Sequence, residues 1–145
     1  MTSANPGGCV LAFDFGTRRI GVAVGETNVG LAHPLATIAA ASRDQWLPAV
    51  RALMAEWRPA VLVVGLPVHA DGVPHAMTGR AKRFARELES RFEVPVELCD
   101  ERFTTRSASS ALEESGVRGR RQKASRDRVA AQLILQDYLD RRRAA

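Results

Sequence analysis

The eight residues "AVLVVGLP" (60–67) are apolar along their whole length, and this limits the folds open to the chain more than any other feature. A strand with one wet face alternates apolar and polar residues. A strand with no polar position must be covered on both faces, as in a parallel sheet with helices on either side. Residues 9–13, "CVLAF", form a second run of this kind. Past the turn "GTRR", residues 20–24 read as a strand folded back on the first. "GLAHPLATI" (30–38) supplies a third, confined to a sheet edge because Pro34 has no N–H to give a ladder. Ser42 is placed to cap a helix that runs to about 57, with Pro59 ending it. Residues 78–92 carry a basic amphipathic helix, 94–99 another strand, and 104–114 and 125–142 two further helices, while "HADGVP" (69–74) is a turn-rich loop. The order βββαβαβαα predicts an α/β fold with a mixed central β-sheet flanked by helices.

At 145 residues the chain has room for one core. Residues 1–8 read as a flexible tail and 9–142 as a single domain. No stretch reaches the ~18 apolar residues of a membrane span, and "MTSANPGG" lacks the basic start and apolar core of a signal peptide. The expectation is a cytoplasmic protein without membrane contact. Cys9 and Cys99 sit inside apolar runs without metal-ligand spacing and are expected to be buried free thiols. His33, His69 and His75 are irregularly spaced and read as surface or structural residues.

Charge is uneven. The chain carries a net +5, yet residues 116–145 hold nine Lys/Arg against three acids, so the remainder is near neutral. Such an excess is a footprint for a polyanion, or else a solvated tail. Residues 116–128 ("GVRGRRQKASRDR") have little to bury and are expected to form a mobile loop.

Three acids stand out by position. Asp14 ends the first buried strand, where a turn-forming role is the structural alternative. Glu101 follows Asp100 at the end of "VPVELC", the edge at which open α/β sheets place ligands, although a solvated turn pair would look the same. Asp127 lies in the first turn expected for the last helix, where the macrodipole favours an acid. At about 100° per residue, however, it shares a stripe with Ala131, Ile134 and Tyr138, with Gln132, Gln136 and Asp140 opposite. Asp127 therefore faces the sheet that carries Asp14. A lone buried carboxylate is costly, so a cation, or Arg126 and Arg128, must offset it, and Asp127→Asn is expected to raise stability when no metal is bound.

The motifs "DFGTRRIGVA" (14–23), "VVGLPVHADG" (63–72), "DERFTT" (100–105) and "SRDRVAAQLILQDYLD" (125–140) together resemble the YqgF (RuvX) family of Holliday-junction-resolvase-like proteins. Its members are regarded as nucleases of small-subunit ribosomal RNA precursors, within the RNase H-like fold. The likeness runs over about 9–140 and implies a catalytic acid from the first, third and fourth motifs: Asp14, Glu101 and Asp127. His69 and Ala70 stand where the family usually carries Asn-Met. Related resolvases place an acid at the end of the strand that here reads "VLVVGLP", where Gly65 and Leu66 provide none, so Glu101 must stand in.

Three carboxylates beside a polyanion site suit one or two ions of Mg²⁺ or Mn²⁺ and hydrolysis of phosphodiester bonds, endo- or exonucleolytic. The resemblance points to 5′-end processing of pre-16S rRNA, in ribosome biogenesis. Arg18, Arg19, Arg102, Arg118, Arg120, Arg121, Lys123 and Arg126 are candidates for gripping phosphates without reading sequence. Two other substrates or roles stay open: cutting four-way DNA junctions, and non-catalytic nucleic-acid binding with the acids as relics. A kinase or actin-like ATPase also begins with D-x-G-T, but needs a second copy of the domain for which this chain has no length, and no G-K-[ST] loop occurs. The oligomer reads either way, as monomer or homodimer.

Overall fold

The computed structural model describes residues 8–66, 76–100 and 119–144. Five strands, β1 (Cys9–Phe15), β2 (Arg19–Glu26), β3 (Ala32–Ala39), β4 (Val61–Leu66) and β5 (Val96–Asp100), are joined by or followed by helices α1 (Arg43–Trp57), α2 (Ala76–Phe92) and α3 (Gly119–Ala144). The sheet order is β3-β2-β1-β4-β5. β1 pairs antiparallel with β2 and parallel with β4, β2 antiparallel with β3, and β4 parallel with β5. The mixed sheet and the position of every expected strand agree with the reading of the sequence. β3 is an edge, and the register shifts beside Pro34, where the ladder lacks a donor. The loop at 69–74 and the helix at 104–114 lie outside the described residues.

Both faces of the sheet are covered, as the apolar runs require. Alternate residues of β1 separate into two cores. Leu11 and Phe13 pack with Ile20, Val22, Leu62 and Val64 beneath Trp46 and Val50 of α1 and Phe84 and Leu88 of α2. Val10 and Ala12 pack with Ala23, Val63 and Cys99 beneath Ala131, Ile134, Leu135, Tyr138 and Leu139 of α3. Ser42 does occupy the N-cap of α1, but its side chain makes no capping bond. Gln45 instead accepts the Ala41 N–H at 2.7 Å. The helix ends at Arg58 in the left-handed region (φ 45°), whose N–H bonds Met54 O, and Pro59 follows.

α3 begins at Gly119, not at 125, which corrects the loop expected over 116–128: its residues from 119 onward are helical. Arg, Gln, Lys and Ala have high helix propensity, and a helix already anchored on the sheet extends at one hydrogen bond per residue without a new nucleus. Low apolar content argues against burial but not against helix. No helix among the described residues is long and apolar enough to cross a membrane.

α3 lies against β2 because β2 has almost no side chain on that face. A Cβ on Gly21 would come within 3.0 Å of Asp127 Cβ and closer still to the Asp127 backbone carbonyl. One on Gly25 would meet Leu139 Cδ1 at 3.1 Å and Leu135 Cδ2 at 3.3 Å. Between them, Ala23 is fully buried. Gly21→Ala must lift the helix or bend the strand and should lower the unfolding free energy by at least about 2 kcal/mol in urea melts. Gly79→Ala is the contrasting case. Gly79 lies in α2 with nothing within 4 Å of the added methyl, so this change should stabilise by about 0.5–1 kcal/mol.

Candidate active site

Asp14 has the parity of Val10 and Ala12, so its side chain leaves β1 on the α3 face. Its register partner is Gly21. Because Gly21 is also the residue on which the Asp127 backbone rests, the strand pairing and the helix contact together bring the two acids to one place from opposite ends of the chain. Asp127 follows the stripe expected for it: Ala131, Ile134 and Tyr138 are buried below it. The site lies at the carboxyl edge of the parallel strands, since Phe13 is level with Val64 and Gly65 with Cys99.

The counter-charge for Asp127 comes from the sheet. Arg19 Nε donates to Asp127 Oδ2 at 2.7 Å, with the two side chains 38% and 21% exposed. The sequence points instead to a cation or to the flanking Arg126 and Arg128 as the partner, and marks Arg19 only as a phosphate candidate. The parity of Arg19 carries the missing signal, because Arg19, Gly21, Ala23 and Gly25 share the face on which α3 lies.

The remaining candidates divide. Arg18 is exposed in the β1–β2 turn, with its carbonyl accepting the Ala40 N–H at 2.8 Å. Arg120, Arg121, Lys123 and Arg126 are backbone positions of the first turns of α3. α3 runs in the direction of β2, so this part extends past the Asp14 end of the sheet, by about 12 Å for eight residues at 1.5 Å each. Glu101, Arg102, Arg118, His69 and Ala70 lie outside the described residues. Among the described residues no three His, Cys, Asp or Glu side chains are grouped to hold a metal.

Gln132 and Gln136, expected on the outer side of α3, instead clasp the sheet edge. Gln132 donates to Ala32 O at 3.1 Å, and Gln136 donates to Gly30 O and accepts the Ala32 N–H, both at 2.9 Å. At the far end of the helix Tyr138 donates to Glu97 at 2.9 Å. Burial and then Glu97 push its hydroxyl pKa up. Cys99 is buried and Cys9 half-buried, both free. Burial raises the Cys99 thiol despite Arg141 beside it, which leaves an inert packing residue.

A family model described as "RuvX: Holliday junction resolvase" matches residues 8–141. The chain belongs to the RuvX family. It is 56% identical over 137 residues to a Nitrosospira multiformis protein named "Putative pre-16S rRNA nuclease", covering 94% of this chain and 91% of that protein. A protein of the same name from Nitrosomonas europaea is 53% identical over 145 residues, covering 100% and 97%. Among solved structures, Thermus thermophilus RuvC in complex with a Holliday junction substrate has a TM-score of 0.58 at 16% identity, covering 93% of this chain and 96% of that one. The fowlpox virus resolvase in complex with Holliday junction DNA has a TM-score of 0.57 at 9% identity, covering 92% and 97%. These neighbours share the fold, that of RuvC-like, RNase H-type resolvases.

The ion pair reverses the stability expectation for Asp127. Asp127→Asn now leaves Arg19 without its partner, so it should lower stability by up to about 1 kcal/mol, the range for partly exposed pairs. A double-mutant cycle with Arg19→Gln in urea should give a coupling of about 0.5–1 kcal/mol. Coupling near zero would mean that the pair adds nothing to the fold.

Proposed function

We propose that the protein is a nuclease that hydrolyses phosphodiester bonds of precursor 16S ribosomal RNA, working in the cytoplasm through one domain spanning 9–142. The observation that carries the reading is the meeting of Asp14 and Asp127 over Gly21 at the carboxyl edge of the sheet. The names of relatives about half identical over nearly the whole chain support the substrate.

The donor chemistry fits a divalent cation. Two carboxylates share one face at a strand end, and β5 places Glu97 and Cys99 on that face, with Glu101 the next residue of the same parity in sequence. Hard oxygen donors of this kind favour Mg²⁺ or Mn²⁺ over softer metals. Asp14, Glu101 and Asp127 would hold the ion, which supplies Lewis-acid stabilisation of phosphate charge when bound.

The chain's own residues do the rest. Asp14 presents its carboxylate from a strand fixed on both sides by ladders, so it holds its place without a loop to order. Arg19 neutralises Asp127, and its guanidinium would be able to turn to a phosphate oxygen of the substrate. Arg18, Arg102, Arg118, Arg120, Arg121, Lys123 and Arg126 grip the backbone around the acids. Replacing these residues with alanine should weaken binding to every sequence alike.

Asp14→Asn should abolish cleavage while leaving the circular dichroism spectrum and urea midpoint close to the parent's, because it removes a ligand charge with little change of volume. The assay offers precursor 16S rRNA, single-stranded RNA and a four-way DNA junction, each with Mg²⁺ or Mn²⁺. Full cleavage by Asp14→Asn would sink the mechanism. Cutting of the junction alone would move the substrate from RNA to branched DNA, the class in the family's description.

A further inference from the structure

The opposite face of the same strand end carries a second cationic surface. Phe15 follows Asp14 but points the other way, towards α1 and α2. There it floors a cleft of about 420 Å³ walled by Arg43, Trp46, Arg80, Arg83 and Phe84. Its one acid, Glu87, is already engaged twice, by Arg43 Nε and Arg91 Nε, each at 2.8 Å. Arg80 and Arg83 are exposed and have no carboxylate partner among the described residues. Being three apart on one helix, they also repel each other, which disfavours the helix slightly. Thus neither arginine has a charge partner among the described residues.

We propose that Arg80 and Arg83, with Arg43 behind them, bind the phosphates of a nucleic-acid strand that crosses the carboxyl edge of the sheet, so that the substrate is held on both sides of Asp14. This rests on the nuclease reading for the identity of the polyanion. The geometry supplies the rest. Consecutive Cα atoms are about 3.8 Å apart, so Asp14 and the cleft that Phe15 floors lie within reach of one strand crossing the edge. Among the described residues, the cations that line this cleft are Arg43, Arg80 and Arg83. A cleft with three guanidinium groups and one neutralised carboxylate attracts a polyanion and repels a cationic peptide. Exposed phosphates, unlike bases, can be gripped without a register to find.

The test is a salt titration of binding to a fluorescein-labelled single-stranded RNA oligonucleotide, in chelator so that the probe stays whole. Arg80→Ala with Arg83→Ala should weaken binding and flatten the log–log salt slope by about 1.4, at about 0.7 for each phosphate no longer neutralised. The control pair, Arg51→Ala with Arg58→Ala, removes the same charge from α1 and its C-cap, where the two arginines line a separate cavity with Pro59 and Val94. It should leave the slope unaltered. An unchanged slope in the first pair, or an equal loss in both, overturns the proposal. The nuclease reading fails separately: if Asp14→Asn cuts RNA as the parent does while the Arg80/Arg83 pair still loses slope, the cleft stands and the active site does not.

Discussion

The contact of α3 with β2 at Gly21 is the one on which the site depends. Helix and sheet are normally held apart by side chains on both. Here β2 presents Gly21, Ala23 and Gly25 in succession to α3, and the helix backbone comes down onto the strand. The acid that the helix carries is thereby level with the acid on the neighbouring strand, through a register pair that cannot slip without turning every residue of β1 to the wrong core. Precision at the site is thus inherited from packing. The long helix gives it leverage: Gln132 and Gln136 pin the middle to the β3 edge and Tyr138 pins the far end to Glu97 on β5.

Bringing two carboxylates together has an electrostatic cost, and Arg19 offsets part of it. The guanidinium belongs to the sheet, on the same face as Gly21, so no movement of a loop is needed to supply it. In the proposed nuclease this makes the cation and Arg19 competitors for Asp127. If Asp127 held a cation, Arg19 would be free to bind a phosphate oxygen. One side chain thus pairs with Asp127 in the fold and would serve substrate in the proposed nuclease. A lysine would serve less well, because a point charge cannot reproduce the planar, fixed donors of Arg19 at both partners.

Most of this fold is legible in the sequence because its strands are apolar runs bounded by turn residues. β1, β4 and β5 need no more than hydrophobic pattern, and Pro34 marks the edge. The stripe through Asp127, Ala131, Ile134 and Tyr138 places the acid on the sheet correctly. What escapes depends on contacts across the chain. The pairing of Arg19 with Asp127 joins residues remote in sequence and leaves no local pattern. The roles of Gln132 and Gln136 are hidden because polar residues at helical spacing point to water by default, whereas the edge of a sheet also offers N–H and C=O groups. The start of α3 is misplaced because a basic, polar stretch looks like a loop when judged by burial alone, although its propensities favour helix. Glu101, the third acid, lies outside the described residues.

The distribution of charge around the strand end fits the proposed nuclease. Carboxylates held together repel a polyanion, so an acidic site cannot attract its own substrate; the attraction has to come from cations placed around it. A single basic patch would draw the backbone to one side and leave the scissile phosphate free to swing. In the proposed nuclease, basic residues from the sequence of the first α3 turns together with the arginines of the α2 cleft would instead hold a strand across the edge at two points. The phosphate between them then has little choice of position. Positioning of this kind would matter more than affinity for metal-dependent hydrolysis of a phosphodiester, in which water attacks directly and the protein contributes by alignment and electrostatics. Contacts to phosphate alone would hold a strand without reading its sequence.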